Sequence, residues 1–256
     1  MSIYMSGLFW ILGAGAVAAG AAVFIHRVTS GADRSVNNSV AGQVFTIVAG
    51  LHAVLMAFVL ISLFDSVASA RAEANREANA LVAISWAAES LPEPAHTRVD
   101  QITTRYSDIV VTEEWPQMRG SGKINGSAGW QQLDQLRAVI EETRADPDDE
   151  WQASRKDAAS EQLWDVYQAR QTRLNAADSN GISTVVWFAL LFGSVLSMTL
   201  VYLHGGPKVV SQAIITGTLA AAITLLLFAI YQLQNPFAGG AAVEPDAFRA
   251  VLDRLG

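Results

Sequence analysis

The chain has 256 residues, of which 51% are hydrophobic and only 16% are charged, and its net charge is -7. An average soluble domain has about 25% charged residues, so an ordinary soluble globule is excluded. The negative charge excludes a strongly basic nucleic-acid binder. The absence of cysteine excludes a disulfide-stapled scaffold, thiol catalysis and cysteine metal sites.

The missing charge is concentrated in four windows that contain no Asp, Glu, Lys or Arg. These windows cover residues 1–26, 35–64, 179–207 and 209–243. A helix needs roughly 20 apolar residues to cross a bilayer. We therefore predict four membrane spans, at residues 8–26, 40–64, 183–204 and 209–232.

The first window does not fit a cleavable signal peptide. Met1 to Gly7 carries no positive charge, and the apolar run from Leu8 to Ile25 is longer than the usual signal. The run is rich in glycine and alanine, and such small residues let another helix approach closely in lipid. We expect a packed transmembrane helix here.

The second span has no helix breaker at its end. Neither Gly nor Pro occurs from Leu51 to Leu91, so we predict one helix of about 40–50 residues, far longer than a bilayer needs. The segment Leu91-Pro92-Glu93-Pro94 ends this helix, because proline cannot continue the hydrogen-bond ladder.

The middle segment, residues 67–180, has 12 basic and 19 acidic residues, so 12 − 19 = −7 accounts for the whole net charge. It is predicted to be helical over Pro94–Trp115, 130–144 and 147–177, with a loop at Pro116–Gly129. Asp146 is predicted to cap the last of these helices. The predicted apolar anchors of that helix are Trp151, Leu163, Trp164, Tyr167 and Leu174.

The predicted fold is an all-α integral membrane protein, with a helical block inserted between spans two and three. Short connections at residues 26–39 and 205–208 pair the spans, so both termini and the block lie on one side, expected to be the cytoplasm. The predicted regions are residues 1–66 (spans one and two), 67–180 (the block), 181–234 (spans three and four) and 235–256, which includes an amphipathic helix at 245–255.

Motifs for catalysis are absent from the sequence. It has no nucleophile elbow, no phosphate loop and no His-Glu-x-x-His. The acidic pairs Glu113-Glu114 and Glu141-Glu142 fit solvated surface, because neighbours on a helix face different ways. We expect no enzymatic activity, no metal site and no cofactor.

His52 lies near the middle of the second span, where an ionisable group is costly and by default suggests a function in selectivity or gating. The alternative is a neutral imidazole hydrogen-bonded to a facing helix, through Ser194 or Thr199. The sequence leaves both interpretations open.

Gly50, Val54 and Phe58 are spaced i, i+4, i+8 and therefore share one face of the second span. His52 points about 200° away from Gly50. This apolar face can pack against another helix, or it can line a hydrophobic pore in a ring of identical subunits. Asp65, at the inner end of the span, is either a selectivity charge or an ordinary surface aspartate.

Two short stretches resemble the bestrophins, a family of pentameric ion channels. Ala57-Phe58-Val59-Leu60 resembles the Gly-Phe-Tyr-Val segment of the bestrophin pore helix. Asn235-Pro236-Phe237-Ala238-Gly239 resembles the Asn-Pro-Phe-Gly that follows the last bestrophin span. From about residue 40 to the end, the chain is similar to a bacterial family of bestrophin-like membrane proteins, through motifs at residues 76–81, 91–94, 113–118, 235–237 and 243–248.

The resemblance implies a homopentamer with five second spans around one axis. Gly50, Val54 and Phe58 would occupy the three neck positions, although Gly50 replaces a bulky residue. The conducted species would be small inorganic ions, with anions such as chloride favoured. Animal bestrophins follow Asn-Pro-Phe with an acidic run that binds calcium. Here no acid occurs before Glu244, so no calcium clasp is expected.

Two functions from different classes follow. The first is a homo-oligomeric anion channel, multi-pass in the inner cell membrane. The alternative is a membrane-anchored helical scaffold or sensor without conduction. Its docking surface would be the turn Glu113-Glu114-Trp115-Pro116, which fits a structural corner equally. A transporter has one weak indication, the interruption of the fourth span by Gly217.

Overall fold

A computed structural model describes residues 3–28, 38–120, 124–144, 148–178, 181–203 and 209–256. Every regular element among these residues is a helix, which confirms the predicted all-α class. The α-helices are α1 (Ile3–Val28), α2 (Asn38–Ala88), α3 (Ala95–Ile109), α4 (Trp115–Arg119), α5 (Ser127–Glu142), α6 (Glu150–Asp178), α7 (Thr184–Leu203), α8 (Val209–Leu233) and α9 (Asp246–Leu255).

Within the described ranges, four helices are long and apolar enough to cross a membrane: α1, α2, α7 and α8. The four predicted spans are thereby confirmed, and the protein is a membrane protein. As expected from the lack of Gly and Pro, α2 is one continuous helix of 51 residues. The predicted connections lie largely outside the described residues, and so does Asp146. At the start of α6 it is Asp149 that accepts the backbone N–H groups of Trp151 and Gln152.

The chain divides into two compact units. The first unit comprises residues 1–64 and 180–234, and the second unit comprises residues 65–179 and 235–256. The first unit contains α1, α7, α8 and the first part of α2. The second unit contains the rest of α2 together with the helices of the middle segment and α9.

In the first unit, α1 and α8 pack through a reciprocal pair of glycines. A Cβ atom on Gly15 would lie 3.2 Å from the carbonyl oxygen of Gly217, and the reverse distance is also 3.2 Å. Ala19 and Ala221 lie one turn further along and face the opposite glycine. Such small residues allow close approach of two helices in lipid. Gly217 therefore serves packing and does not interrupt α8, so the indication of a broken transporter helix was wrong.

In the second unit, the helix predicted to end at Trp115 continues to Arg119. A π-helical turn, Val110–Glu114, joins α3 to α4, and the backbone N–H of Trp115 donates to the carbonyl of Val110. The next residue is Pro116, which has no N–H and whose ring crowds the carbonyl four residues earlier in a regular helix. The wider turn relieves this crowding, so the helix passes the proline.

The predicted anchors of α6 were partly wrong. Leu163 is buried, but Trp151 and Trp164 are 61% and 63% exposed. The buried face of α6 instead carries residues at intervals of three or four: Ala159, Leu163, Val166, Arg170 and Arg173. Trp164, next to Leu163, falls outside this periodicity, whereas two arginines fall within it.

The glycine pair gives a first prediction. Gly15→Val should place methyl groups against the α8 backbone and lower the free energy of unfolding by about 1–3 kcal/mol, the usual cost of overpacking. Gly13→Val on the same helix is the control, since nothing lies within 4 Å of a Cβ at Gly13. Thermal unfolding of the detergent-solubilised protein measures both. Equal unfolding temperatures for the two variants would contradict the packing role of Gly15.

Candidate functional site

One side of α2 is buried with a seven-residue repeat. Met56, Leu63, Ala70, Glu77 and Ile84 follow each other at intervals of seven, and each is at most 6% exposed. A seven-residue repeat keeps one side of a helix facing its neighbours over many turns. The only charged residue in this series is Glu77, so its carboxylate is placed where an apolar side chain is expected.

A second seven-residue series, two residues further on, is exposed throughout. Its members are Phe58, Asp65, Ala72, Asn79 and Trp86. Phe58 is 67% exposed and Trp86 is 47% exposed. We call this series the exposed repeat of α2. The helix thus has one side that packs within the chain and one that the single chain leaves uncovered.

The predicted neck residues all lie on an uncovered face of α2 in the first unit. Val54 is 53% exposed, Phe58 is 67% exposed, and a Cβ on Gly50 would meet nothing within 4 Å. His52, by contrast, is only 8% exposed. The sequence spacing placed His52 on a different face of α2 from Gly50, Val54 and Phe58, and the burial of these residues within the first unit agrees with that placement.

His52 makes the hydrogen bond that the sequence offered as the alternative to a functional role. Its Nε2 lies 3.1 Å from the hydroxyl of Ser194 on α7. That hydroxyl already donates to the carbonyl of Leu190 at 2.7 Å, so Nε2 is the ring nitrogen that donates to Ser194, an assignment made from the network. A Cβ on Gly193 would lie 2.3 Å from Nδ1. The ring therefore fills the space that a side chain at Gly193 would need.

The second unit contains a fully buried ionic cluster. It consists of two carboxylates, two guanidinium groups and one phenol, each with at most 1% exposure. Its members are Glu77 from α2, Tyr106 from α3, Glu114 from the π-helical turn, and Arg170 and Arg173 from α6. Because the two negative charges balance the two positive ones, the cluster is neutral as a whole.

Arg173 forms the centre of the cluster. Its Nε and Nη2 donate to the two carboxylate oxygens of Glu77 at 2.7 and 3.0 Å, and Nη2 also donates to Glu114 at 3.1 Å. The guanidinium lies 5.6 Å from the ring centroid of Trp115. A planar guanidinium is suited to this two-pronged geometry, which a lysine cannot reproduce.

Arg170 holds the other half of the cluster. Its Nη1 and Nη2 donate to the two oxygens of Glu114 at 2.9 and 2.6 Å. Nη1 also donates to the hydroxyl of Tyr106 at 3.0 Å, and that hydroxyl donates to Glu77. The guanidinium lies 4.6 Å from the ring centroid of Trp130. The phenol therefore joins the two ion pairs into one network.

Gly129 is required by the close approach of this network. A Cβ at Gly129 would lie 2.4 Å from Nη2 of Arg170 and 2.6 Å from Oε1 of Glu114. Any side chain there would displace the ion pair. This explains one of the glycines at the end of the loop that the sequence predicted.

The environment of the cluster fixes its protonation. Burial, followed by the negative charge of Glu77, raises the pKa of Tyr106 well above its ordinary value, so the phenol stays protonated and can donate. Burial alone would lower the pKa of Arg173, but the Glu77 carboxylate outweighs this effect and raises the pKa. Tyr106 and Arg173 therefore both keep their protons at neutral pH.

Sequence reasoning missed this cluster and placed Glu114 on the solvated surface, which was wrong. Glu114 is 1% exposed, as is Trp115, so two of the four residues of the turn proposed as a docking surface are buried, while Glu113 and Pro116 are exposed. A signal was present in the sequence. Arg170 and Arg173 continue the apolar spacing of α6, and charges at core positions need partners.

The Asn-Pro-Phe motif after α8 attaches to the same part of the second unit. The side chain of Asn235 accepts from the backbone N–H of Phe237 at 2.9 Å and donates to the carbonyl of Met118 at 3.3 Å. The Phe237 ring is fully buried and meets Trp115 edge-on at 5.4 Å between centroids. The motif is thus a turn that inserts an aromatic ring against the wall of the ionic cluster.

The turn continues with backbone contacts. Val243 donates its N–H to the carbonyl of Pro236 at 2.8 Å, and the Val243 carbonyl accepts from the indole of Trp115 at 3.1 Å. Gly239 has φ of +81°, a conformation that favours glycine. The glycine of the motif therefore has a backbone role.

Among the described residues, no group of three or more His, Asp or Glu side chains could hold a metal ion. The charged groups of the cluster bind one another. The cluster therefore acts structurally, by holding the helices that supply its charged groups together. Asp65 is exposed at the start of the second unit's part of α2.

A family model described as the Bestrophin-like domain matches residues 12–248 of this chain. The match includes most of α1, the other three spans, the helical block and the Asn-Pro-Phe turn. No curated protein and no solved structure matches the chain significantly.

The adjacent glutamates of the π-helical turn give a second prediction. Glu114→Gln leaves buried arginine charge uncompensated and should lower the free energy of unfolding by about 3–5 kcal/mol. Glu113→Gln, on the exposed neighbour, should change it by less than about 0.5 kcal/mol. Thermal unfolding followed by circular dichroism measures both. A similar small effect of the two substitutions would show that the cluster does not stabilise the fold.

Proposed function

The chain belongs to the Bestrophin-like family, and from this premise we propose that it is an oligomeric ion channel whose neck is formed by α2. The family match places the protein broadly among ion-channel proteins. The neck would consist of Gly50, Val54 and Phe58 from each subunit. A ring of apolar side chains can control conduction by excluding water from the constriction.

The observation that carries the proposal is the two-sided character of α2. His52 faces α7 and is hydrogen-bonded there, while Val54 and Phe58 remain uncovered. An exposed face on a span can contact lipid, a second subunit or a pore. The resemblance of the segment around Phe58 to the bestrophin pore helix favours the pore.

His52 has a defined part in this proposal. The hydrogen bond to Ser194 and the fit against Gly193 fix the rotation of α2 about its own axis in the first unit. A fixed rotation keeps Phe58 on the side away from α7. We propose His52 as a gating residue, because loss of its hydrogen bond with Ser194 would let α2 turn about its axis and move Phe58 within the neck.

The finer proposal is a homopentamer that conducts anions such as chloride. It is supported by the resemblance to bestrophins. The acidic middle segment favours cations over anions, since its net charge of -7 raises the local concentration of cations. Asp65 is exposed, follows Phe58 by seven residues, and is proposed as a selectivity charge at the inner end of the neck; its negative charge acts in the same direction as that of the middle segment and favours cations.

The location proposed is the inner cell membrane, in multi-pass form, with the second unit in the cytoplasm. Four apolar helices support insertion into a bilayer. The proposed partners are lipid, small inorganic ions and further copies of this chain. No cofactor is proposed, because the residues after Asn235-Pro236-Phe237 offer no carboxylate before Glu244.

The test is ion flux through the purified protein in liposomes, under chloride and then potassium gradients. Phe58→Ala should widen the neck and raise single-channel conductance several-fold. Phe188→Ala is the matched control, because Phe188 on α7 is 68% exposed against 67% for Phe58. We expect conductance of the control to equal that of the unsubstituted protein.

Equal effects of Phe58→Ala and Phe188→Ala on conductance would contradict the placement of Phe58 in the pore. An absence of flux in a verified oligomer would contradict conduction and favour the membrane-anchored scaffold. A reversal potential that follows potassium would contradict the finer proposal of anion conduction while leaving the channel in place.

A further inference from the structure

A hollow of about 240 Å³ lies between α5 and α6 of the second unit. None of the five members of the buried ionic cluster lines it. Pockets that hold drug-sized ligands have roughly 300–1,000 Å³, so this hollow suits a small molecule. The lining side chains come from one face of each helix: Arg137, Ile140 and Glu141 from α5, and Ser160, Leu163, Trp164 and Tyr167 from α6.

The hollow has an apolar floor and an aromatic wall. Ile140 and Leu163 are buried and form the floor. Trp164 directly follows Leu163, yet packing within the chain leaves 63% of it exposed. An indole beside an apolar floor, with a few polar groups at the edge, is the composition typical of small-molecule sites. A ligand in the hollow would cover apolar surface that the chain itself leaves in water.

Tyr167 forms a second aromatic wall, and two residues that do not line the hollow hold it in place. Its ring stacks on that of Trp130 at 5.6 Å between centroids, and its hydroxyl donates to Asp134 at 2.8 Å. Burial, followed by the hydrogen bond to Asp134, raises the pKa of Tyr167 to about 12, so the phenol stays protonated and continues to donate. A wall that is fixed in advance lowers the entropic cost of binding.

The rim carries one positive and one negative charge next to each other. Nε of Arg137 lies 3.8 Å from a carboxylate oxygen of Glu141, and both side chains are exposed. Among the described residues, Nη1 and Nη2 of Arg137 make no hydrogen bond. The two N–H groups of a guanidinium fork fit a carboxylate. The oxygens of Glu141 can accept from an ammonium group.

The charges around the hollow favour a ligand that carries both signs. A purely anionic ligand would be repelled by Glu141 and by nearby Asp134, whereas a purely cationic one would be repelled by Arg137. A zwitterion places each of its charges against the opposite charge of the rim. The hydroxyl of Ser160 donates to the carbonyl of Lys156 at 3.0 Å and keeps its lone pairs for a further donor.

We propose that this hollow binds a free amino acid with an aromatic side chain. The carboxylate of the ligand binds Nη1 and Nη2 of Arg137, and its ammonium group binds Glu141. Its ring lies on Ile140 and Leu163, against the indole of Trp164. The site is built by α5 and α6 alone, so it does not depend on the proposed channel function.

The experiment is isothermal titration calorimetry of the purified full-length protein in detergent, with L-phenylalanine as the probe. We expect saturable binding at one site per chain. Phenethylamine lacks the carboxylate, and 3-phenylpropionate lacks the ammonium group. Each should bind about tenfold more weakly or worse, because each loses a hydrogen bond between charged groups. L-Alanine, which keeps both charges but has no ring, should also bind more weakly.

The substitutions assign each part of the ligand to a residue. Arg137→Gln should weaken L-phenylalanine binding about tenfold and remove the preference over phenethylamine. Glu141→Gln should remove the preference over 3-phenylpropionate. Trp164→Ala should weaken binding several-fold, because the ring contact is lost. All three side chains are exposed and outside the ionic cluster, so the unfolding temperature should stay the same.

Two variants outside the hollow are the matched controls. Trp151 lies on the same helix as Trp164 and is 61% exposed. Arg105 is exposed and pairs with Asp108 at 3.1 Å, as Arg137 pairs with Glu141. We expect Trp151→Ala and Arg105→Gln to bind L-phenylalanine as tightly as the unsubstituted protein.

Three results would overturn the inference. The first is an absence of saturable L-phenylalanine binding to the folded protein. The second is equal affinity for L-phenylalanine, phenethylamine and 3-phenylpropionate, which would show that the rim charges recognise nothing. The third is an equal effect of Trp151→Ala and Trp164→Ala. Ion flux does not enter this measurement, so failure of the channel proposal and failure of this site are distinguished.

Discussion

The buried ion pairs of the second unit are the interaction on which the rest of that unit depends. Arg173 binds Glu77 and Arg170 binds Glu114, and the phenol of Tyr106 joins the two pairs. Removing one partner would leave an uncompensated charge in a dry interior, which is strongly destabilising. The helices that supply these groups are therefore constrained to one arrangement, more specifically than apolar packing alone would require.

Glu77 connects this constraint to the proposed pore helix. It belongs to the buried series of α2, whereas Phe58 and Trp86 belong to the exposed repeat two residues further on. A carboxylate bound by a two-pronged guanidinium cannot rotate freely about the helix axis. The ion pair thus fixes which side of α2 is exposed in the second unit. In the first unit, the hydrogen bond between His52 and Ser194 fixes which side of α2 faces α7.

The pattern of apolar, charged and helix-breaking residues along the chain predicted the helices well, but the partners of individual charged residues were not predicted. The charge-free windows located the spans, and the run without glycine or proline predicted the unbroken α2, because both depend on local chain properties. The end of the helix at Trp115 was misplaced, since a π-helical turn accommodates Pro116. Glu114 was assigned to the surface because its partners, Arg170 and Arg173, lie more than fifty residues away in the sequence.

The sequence by itself determined the all-α class, the apolar spans, the shared face of Gly50, Val54 and Phe58, and the family resemblance. These follow from composition, helical period and short motifs. Only the tertiary structure decided that the charges of Glu77, Glu114, Arg170 and Arg173 cancel in one buried cluster, and that the Asn-Pro-Phe turn packs on Trp115. The physical reason is that local sequence sets the faces of a helix, whereas charge balance and ring contacts depend on which distant segments meet.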